Sequence, residues 1–112
     1  MQAICVHKFG EADVMQYEEV ATLTPIKNQI KIEVKAIGVN PVDTYIRAGI
    51  YPIKPDLPYT PGKDAAGIIT EIGSEVKTRK IGERVYTCGC LSGSYAEELI
   101  CEEDQAFILP EN

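Results

Sequence analysis

Between Asn28 and Ile37 the chain alternates strictly: Ile30, Ile32, Val34 and Ala36 are apolar, and Lys31, Glu33 and Lys35 between them are charged. A period of two marks a half-buried antiparallel strand, with one face on a core and the other in water. The rest of the chain is read around this segment. Gln2 to Phe9 is strand-like, rich in Ile, Val and Phe, and Tyr17 to Thr24 is a weaker second candidate. Further strands are expected at Ala65–Ile72, ending at Gly73–Ser74, at Glu83–Cys88, at Tyr95–Cys101 and at Gln105–Leu109. Leu91–Ser92–Gly93–Ser94 makes a turn between two of them.

One segment switches period. Asn40 is a good N-cap, Pro41 fits the first helical position, and Val42, Tyr45 and Ile46 follow at helical spacing before Gly49. These signals predict a short helix over 41–48. Tyr51 to Gly62 then carries Pro52, Pro55, Pro58 and Pro61. Proline fixes φ and removes a backbone donor, so this stretch reads as an extended, pre-ordered loop. Many short strands with glycine-rich turns and one short helix give a mainly β chain, compatible with a partly closed barrel.

With 112 residues, a single domain spanning 1–112 is expected. A hydrophobic fraction of 45% with 25% charged residues is ordinary for a soluble protein. No apolar run has the length of a membrane span, and the N-terminus shows no secretory signal. The net charge of −6 argues against a nucleic-acid partner, which requires a positive footprint; Lys77–Thr78–Arg79–Lys80 is too short to supply one. Cys5, Cys88, Cys90 and Cys101 read as reduced thiols of a cytoplasmic protein. Cys88 and Cys90 match no standard zinc spacing, and His7 is the only histidine.

Three ordered segments carry a resemblance. They are Gly38–Val39–Asn40–Pro41–Val42–Asp43–Thr44–Tyr45–Ile46–Arg47–Ala48–Gly49, then Leu57 to Gly67 with Ile72–Gly73, then Ile81–Val85 with Ser92–Glu97. Together they resemble the N-terminal domain of the quinone-oxidoreductase, zeta-crystallin-like branch of the medium-chain dehydrogenase/reductase superfamily. The resemblance covers essentially the whole chain, including its Leu109–Pro110–Glu111–Asn112 ending. It implies a GroES-like, partly open β-barrel with a short helix. In full-length members a nucleotide-binding Rossmann domain follows, with the active-site cleft between the two. No glycine-rich dinucleotide fingerprint occurs here, so the main NADPH site is expected outside this chain.

The same resemblance bears on metal and site residues. Zinc alcohol dehydrogenases, which share the scaffold, have a Cys ligand where Asn40 stands and a Gly–His–Glu motif where Gly62–Lys63–Asp64 stands. An ammonium does not ligate zinc, so no zinc is expected. Lys63 also departs from the quinone-reductase branch, which often has a small polar residue there. Without a metal, hydrogen-bond donors must stabilise charge developing on the substrate oxygen. The positions of Asn40, Tyr45 and Tyr51 line the cleft in resembling enzymes and are carried over as catalytic, Asn40 and Tyr45 also as cofactor-binding. Asn40 also reads as a helix cap, Tyr45 as packing and Tyr51 as a loop anchor. Asp43 reads as a first-turn acid favoured by the helix dipole, Gly62 and Gly67 as tight backbone positions, and Arg47 as a surface or interdomain residue. The implied partners are a quinone or other electrophilic small molecule, the Rossmann domain, and a second copy in a homodimer. A non-enzymatic GroES-like binding module and a zinc-containing alcohol dehydrogenase relative are the alternatives.

Overall fold

In chain order the elements are β1 (Gln2–Val6), β2 (Met15–Glu19), β3 (Gln29–Gly38), α1 (Pro41–Ala48), β4 (Asp64–Ile72), β5 (Arg84–Thr87), β6 (Glu98–Glu102) and β7 (Ala106–Ile108). They come from a computed structural model that describes residues 1–111. The mainly β architecture and the single helix agree with the sequence reading. Five strands form one antiparallel sheet in the order β6-β3-β4-β5-β7, and β1 pairs with β2 in a separate hairpin. Isolated bridges from Ala3 to Ala96 and from Val6 to Tyr59 tie the hairpin to the rest.

The alternating segment sits at the heart of the sheet, between β4 and β6. Ile30 and Ile32 are fully buried in a core with Ala65, Ile69, Val85, Leu99, Cys101 and Ala106. The alternation fails in two places. Lys31, expected in water, is buried. The segment between β2 and β3 folds over it: its ammonium donates to the Leu23 carbonyl at 3.1 Å and pairs with Glu71 at 3.0 Å and Glu98 at 3.5 Å. Burial alone would lower its pKa, but these two carboxylates outweigh it and the net shift is upward. The second strand also lies earlier than Tyr17–Thr24 predicts: after Val20, which still exchanges backbone hydrogen bonds with Met1, the chain leaves the hairpin and brings the Leu23 carbonyl to Lys31. Ala36, expected on the buried face, is exposed because a register shift between Val34 and Ala36 rotates the strand end.

The helix has the predicted limits. Asn40 is its N-cap, Pro41 its first residue, and Gly49, at φ 79°, its C-cap. Gly67 is a tight backbone position, as expected: a Cβ there would lie 2.0 Å from the Glu33 carbonyl oxygen on the paired strand. Arg47, expected as a surface or interdomain residue, is half-buried and tethers the N-terminal segment. Its carbonyl accepts from the Gly10 N–H at 2.9 Å, and its Nε donates to the Gly10 carbonyl at 3.4 Å.

Candidate functional site

The proline-rich loop lines a cleft of about 720 Å³. Tyr51, Ile53 and Tyr59 contribute from the loop, Asp43 and Ile46 from α1, and Cys90 and Ser92 from the turn before β6. Val6 fixes the loop, donating to the Tyr59 carbonyl at 2.8 Å and accepting from the Tyr59 N–H at 3.1 Å. Gly62, at φ 99°, lets the chain pass against the turn. A Cβ there would lie 2.1 Å from Ser94 Oγ and 2.5 Å from the Tyr95 ring.

Asp43 anchors the cleft floor. It is 4% exposed. One carboxylate oxygen, Oδ2, accepts the Asn40 backbone N–H at 2.9 Å and the Tyr95 hydroxyl at 3.1 Å. The other, Oδ1, is buried without a partner. The acid thus caps the helix and also joins it to the turn 52 residues later. Sequence reasoning finds only a first-turn acid favoured by the helix dipole, and neither the cap nor the link to Tyr95. The Tyr95 phenol is pushed up to about 12 by burial and by the Asp43 charge. Burial also raises the Tyr59 phenol, with Arg47 pulling the other way. Both hydroxyls therefore stay protonated at neutral pH.

Of the three carried-over residues, the structure brings only Tyr51 into the cleft wall. Asn40 caps the helix and donates its side-chain amide to Asp64 Oδ2 at 2.8 Å. Tyr45 is on the helix, 48% exposed, so it is not a core packing residue. Neither lines the cleft. Lys63 does, and its side chain is exposed. Its backbone is fixed, since its carbonyl accepts the Gly89 N–H at 3.1 Å and the Thr87 hydroxyl at 3.2 Å. Tyr59, Tyr95 and Lys63 follow turns or prolines, where no periodic pattern marks a side chain's direction.

The cysteines are unpaired thiols. Burial pushes Cys5 and Cys90 up, and Cys101 to about 12. Thiols shifted this way are poor nucleophiles and poor metal ligands at neutral pH. Among the described residues no group of three or more His, Cys, Asp or Glu side chains is placed to hold a metal ion, and no helix is long and apolar enough to cross a membrane.

The profile of the alcohol dehydrogenase GroES-like domain matches residues 26–111. A quinone oxidoreductase of Sus scrofa is 51% identical over 112 residues, covering 99% of this chain and 34% of its own length. One from Lama guanicoe is 47% identical over 98% of this chain and 34% of its own. The crystal structure of Escherichia coli quinone oxidoreductase complexed with NADPH superposes with a TM-score of 0.93 at 43% identity, over 98% of this chain and 33% of that one. The chain therefore spans about a third of the length of these relatives. It belongs to the alcohol dehydrogenase GroES-like domain family, with quinone oxidoreductases among its relatives.

Proposed function

We propose that this chain is the N-terminal, substrate-side part of a zinc-independent NADPH:quinone oxidoreductase. The observation that carries the reading is a largely apolar cleft lined by Tyr51 and Tyr59, with no group of three or more metal-ligating side chains among the described residues, in a chain that superposes on an NADPH-complexed quinone oxidoreductase. Tyr51 stands in the cleft wall as a donor to a quinone oxygen. Asn40 and Tyr45, on the neighbouring helix, are offered as the edge of the nicotinamide site. Tyr45 is half exposed and makes no side-chain hydrogen bond with a described residue, which suits a hydroxyl that meets a carboxamide or ribose. NADPH, when bound, supplies the electrons. This chain's residues bind and orient the acceptor and hold donors where charge develops.

The donor set fits the nicotinamide edge but not a pyrophosphate. The one α-helix begins Asn40–Pro41–Val42–Asp43, and a buried carboxylate at its N-terminus repels a phosphate. The main cofactor site is thus assigned to residues beyond this chain, and the chain alone is expected to be inactive. Zinc independence rests on two side chains. At the positions of zinc ligands in the related dehydrogenases, Asn40 turns an N–H to Asp64 and Lys63 brings a positive charge. A cytoplasmic homodimer is the proposed state of the intact protein.

Joined to a downstream dinucleotide-binding domain, the Tyr45→Phe variant tests the reading. Loss of the hydroxyl is expected to lower kcat/KM by about 10- to 100-fold while melting is unchanged. Unaltered kinetics would remove Tyr45 from the site. Turnover of NADPH by the 112-residue chain alone at about 1 per second or more would overturn the assignment of the cofactor site.

A further inference from the structure

Three charged groups line the cleft. The Met1 ammonium donates to the Val20 carbonyl at 2.9 Å and pairs with Glu19 at 3.1 Å. The Asp43 carboxylate is buried and holds Asn40 and Tyr95. Lys63 is exposed, and its side chain makes no ion pair or hydrogen bond with a described residue. It is the one uncommitted charge in the cleft. Around it the wall is largely apolar, with Val20, Leu23, Ile53, Pro55 and Leu91.

We infer that Lys63 makes this cleft selective for acceptors carrying one negative charge on an apolar body, such as an aromatic quinone bearing a sulfonate or carboxylate. The inference rests on the quinone-reductase reading and adds a substrate class to it. The anchoring fixes where the Lys63 side chain leaves the backbone: its carbonyl holds two donors, and Gly62 before it is locked against Ser94 and Tyr95. The ammonium's field also reaches Cys90 across the cleft lining, drawing its thiol down against the larger upward push of burial. The chain's net charge is −6 and Asp43 shares the cleft, so Lys63 is the side chain there that draws an anion in. An apolar wall on one side removes water from the pair and makes the attraction larger than in open solvent.

The test titrates 9,10-anthraquinone-2-sulfonate and the neutral 2-(hydroxymethyl)anthraquinone into the 112-residue chain, following NMR shifts of Tyr51 and Ser92. Lys63→Gln is expected to weaken the sulfonate by about fivefold and to leave the neutral quinone unchanged. Lys63→Arg should retain most of the affinity, and the difference should shrink with added salt. Melting curves confirm that the variants are folded, as expected at an exposed position. A silent Lys63→Gln with both quinones bound overturns the inference while the quinone reading stands. Failure of both quinones to bind overturns both. Inorganic pyrophosphate is the third ligand: Lys63-dependent binding as tight as the sulfonate's would assign the cation to a phosphate and overturn the inference too.

Discussion

The Asp43–Tyr95 contact is the most exposed point of the site's architecture to a direct test. Asp43→Ala removes the acceptor of the Asn40 N–H at the start of the helix, worth about 1 kcal/mol. It also leaves the Tyr95 hydroxyl, in its half-buried setting, without a partner, at about 1–2 kcal/mol. The unpartnered Oδ1 disappears with the same change, which offsets part of the loss. The net cost is about 2 kcal/mol, a fall in Tm of about 10 °C for a chain of this size. Tyr95→Phe keeps the ring and loses only the donor, at about 1 kcal/mol. Because the two substitutions break one hydrogen bond between them, the double variant should cost about 1 kcal/mol less than the sum. Urea denaturation of the four proteins measures all of this. Stability of Asp43→Ala within about 0.5 kcal/mol of wild type, or strict additivity, would refute the pairing. An independent readout is the tyrosinate absorbance. Burial first, then Asp43, holds the Tyr95 phenol at about 12 against an ordinary 10.0. Since the folded value is raised, the stabilisation is complete below the ordinary value and is lost as pH rises toward about 12. Asp43→Asn should narrow that window from its upper end.

Two further predictions concern the frame that holds the cleft. Glu103 accepts from the Lys77 and Thr78 N–H groups, the Thr78 hydroxyl and the Asn28 amide, and these bonds hold its carboxyl at about 2 against an ordinary 4.5. The depressed value means stability present above the ordinary range and lost as pH falls toward about 2, so Glu103→Gln should flatten this part of the acid-unfolding curve followed by circular dichroism. Gly67→Ala drives a methyl against the Glu33 carbonyl oxygen in the middle of the sheet, where backbone on both sides resists movement. A loss of about 3 kcal/mol or more in urea denaturation is expected, and a loss under about 1 kcal/mol would show that the β3–β4 pairing is looser than described.

Local physics made most of the fold legible. The helix was readable to the residue because both its ends are set by nearby chemistry: a proline locked into the first turn, an Asn and an Asp exchanging backbone hydrogen bonds, and a glycine in the left-handed region. The alternation of β3 correctly named Ile30 and Ile32 as core. It misplaced Lys31 and Ala36 because alternation reports which residues share a face, not what covers that face or where a bulge rotates it. Lys31 is buried and satisfied by the Leu23 carbonyl, Glu71 and Glu98, the last two 40 and 67 residues away in sequence.

The site was harder to read for the same reason. The motif that carried the family resemblance drew attention to Asn40, Tyr45 and Tyr51, three residues close in sequence. The structure organises the cleft instead through contacts between distant segments. Asn40 meets Asp64 at the entry to β4, Asp43 meets Tyr95 just after the Leu91–Ser94 turn, and the Lys63 backbone is pinned by Thr87 and Gly89. Each of these joins the helix or the end of the proline-rich loop to a distant strand or turn, and each uses a polar group with no local periodicity. Read alone, Asp43 is a helix-dipole acid and Gly62 a turn residue. Placed together, the acid fixes where the helix meets the turn. The missing Cβ of Gly62 lets that turn approach, and the Lys63 backbone is held beside it.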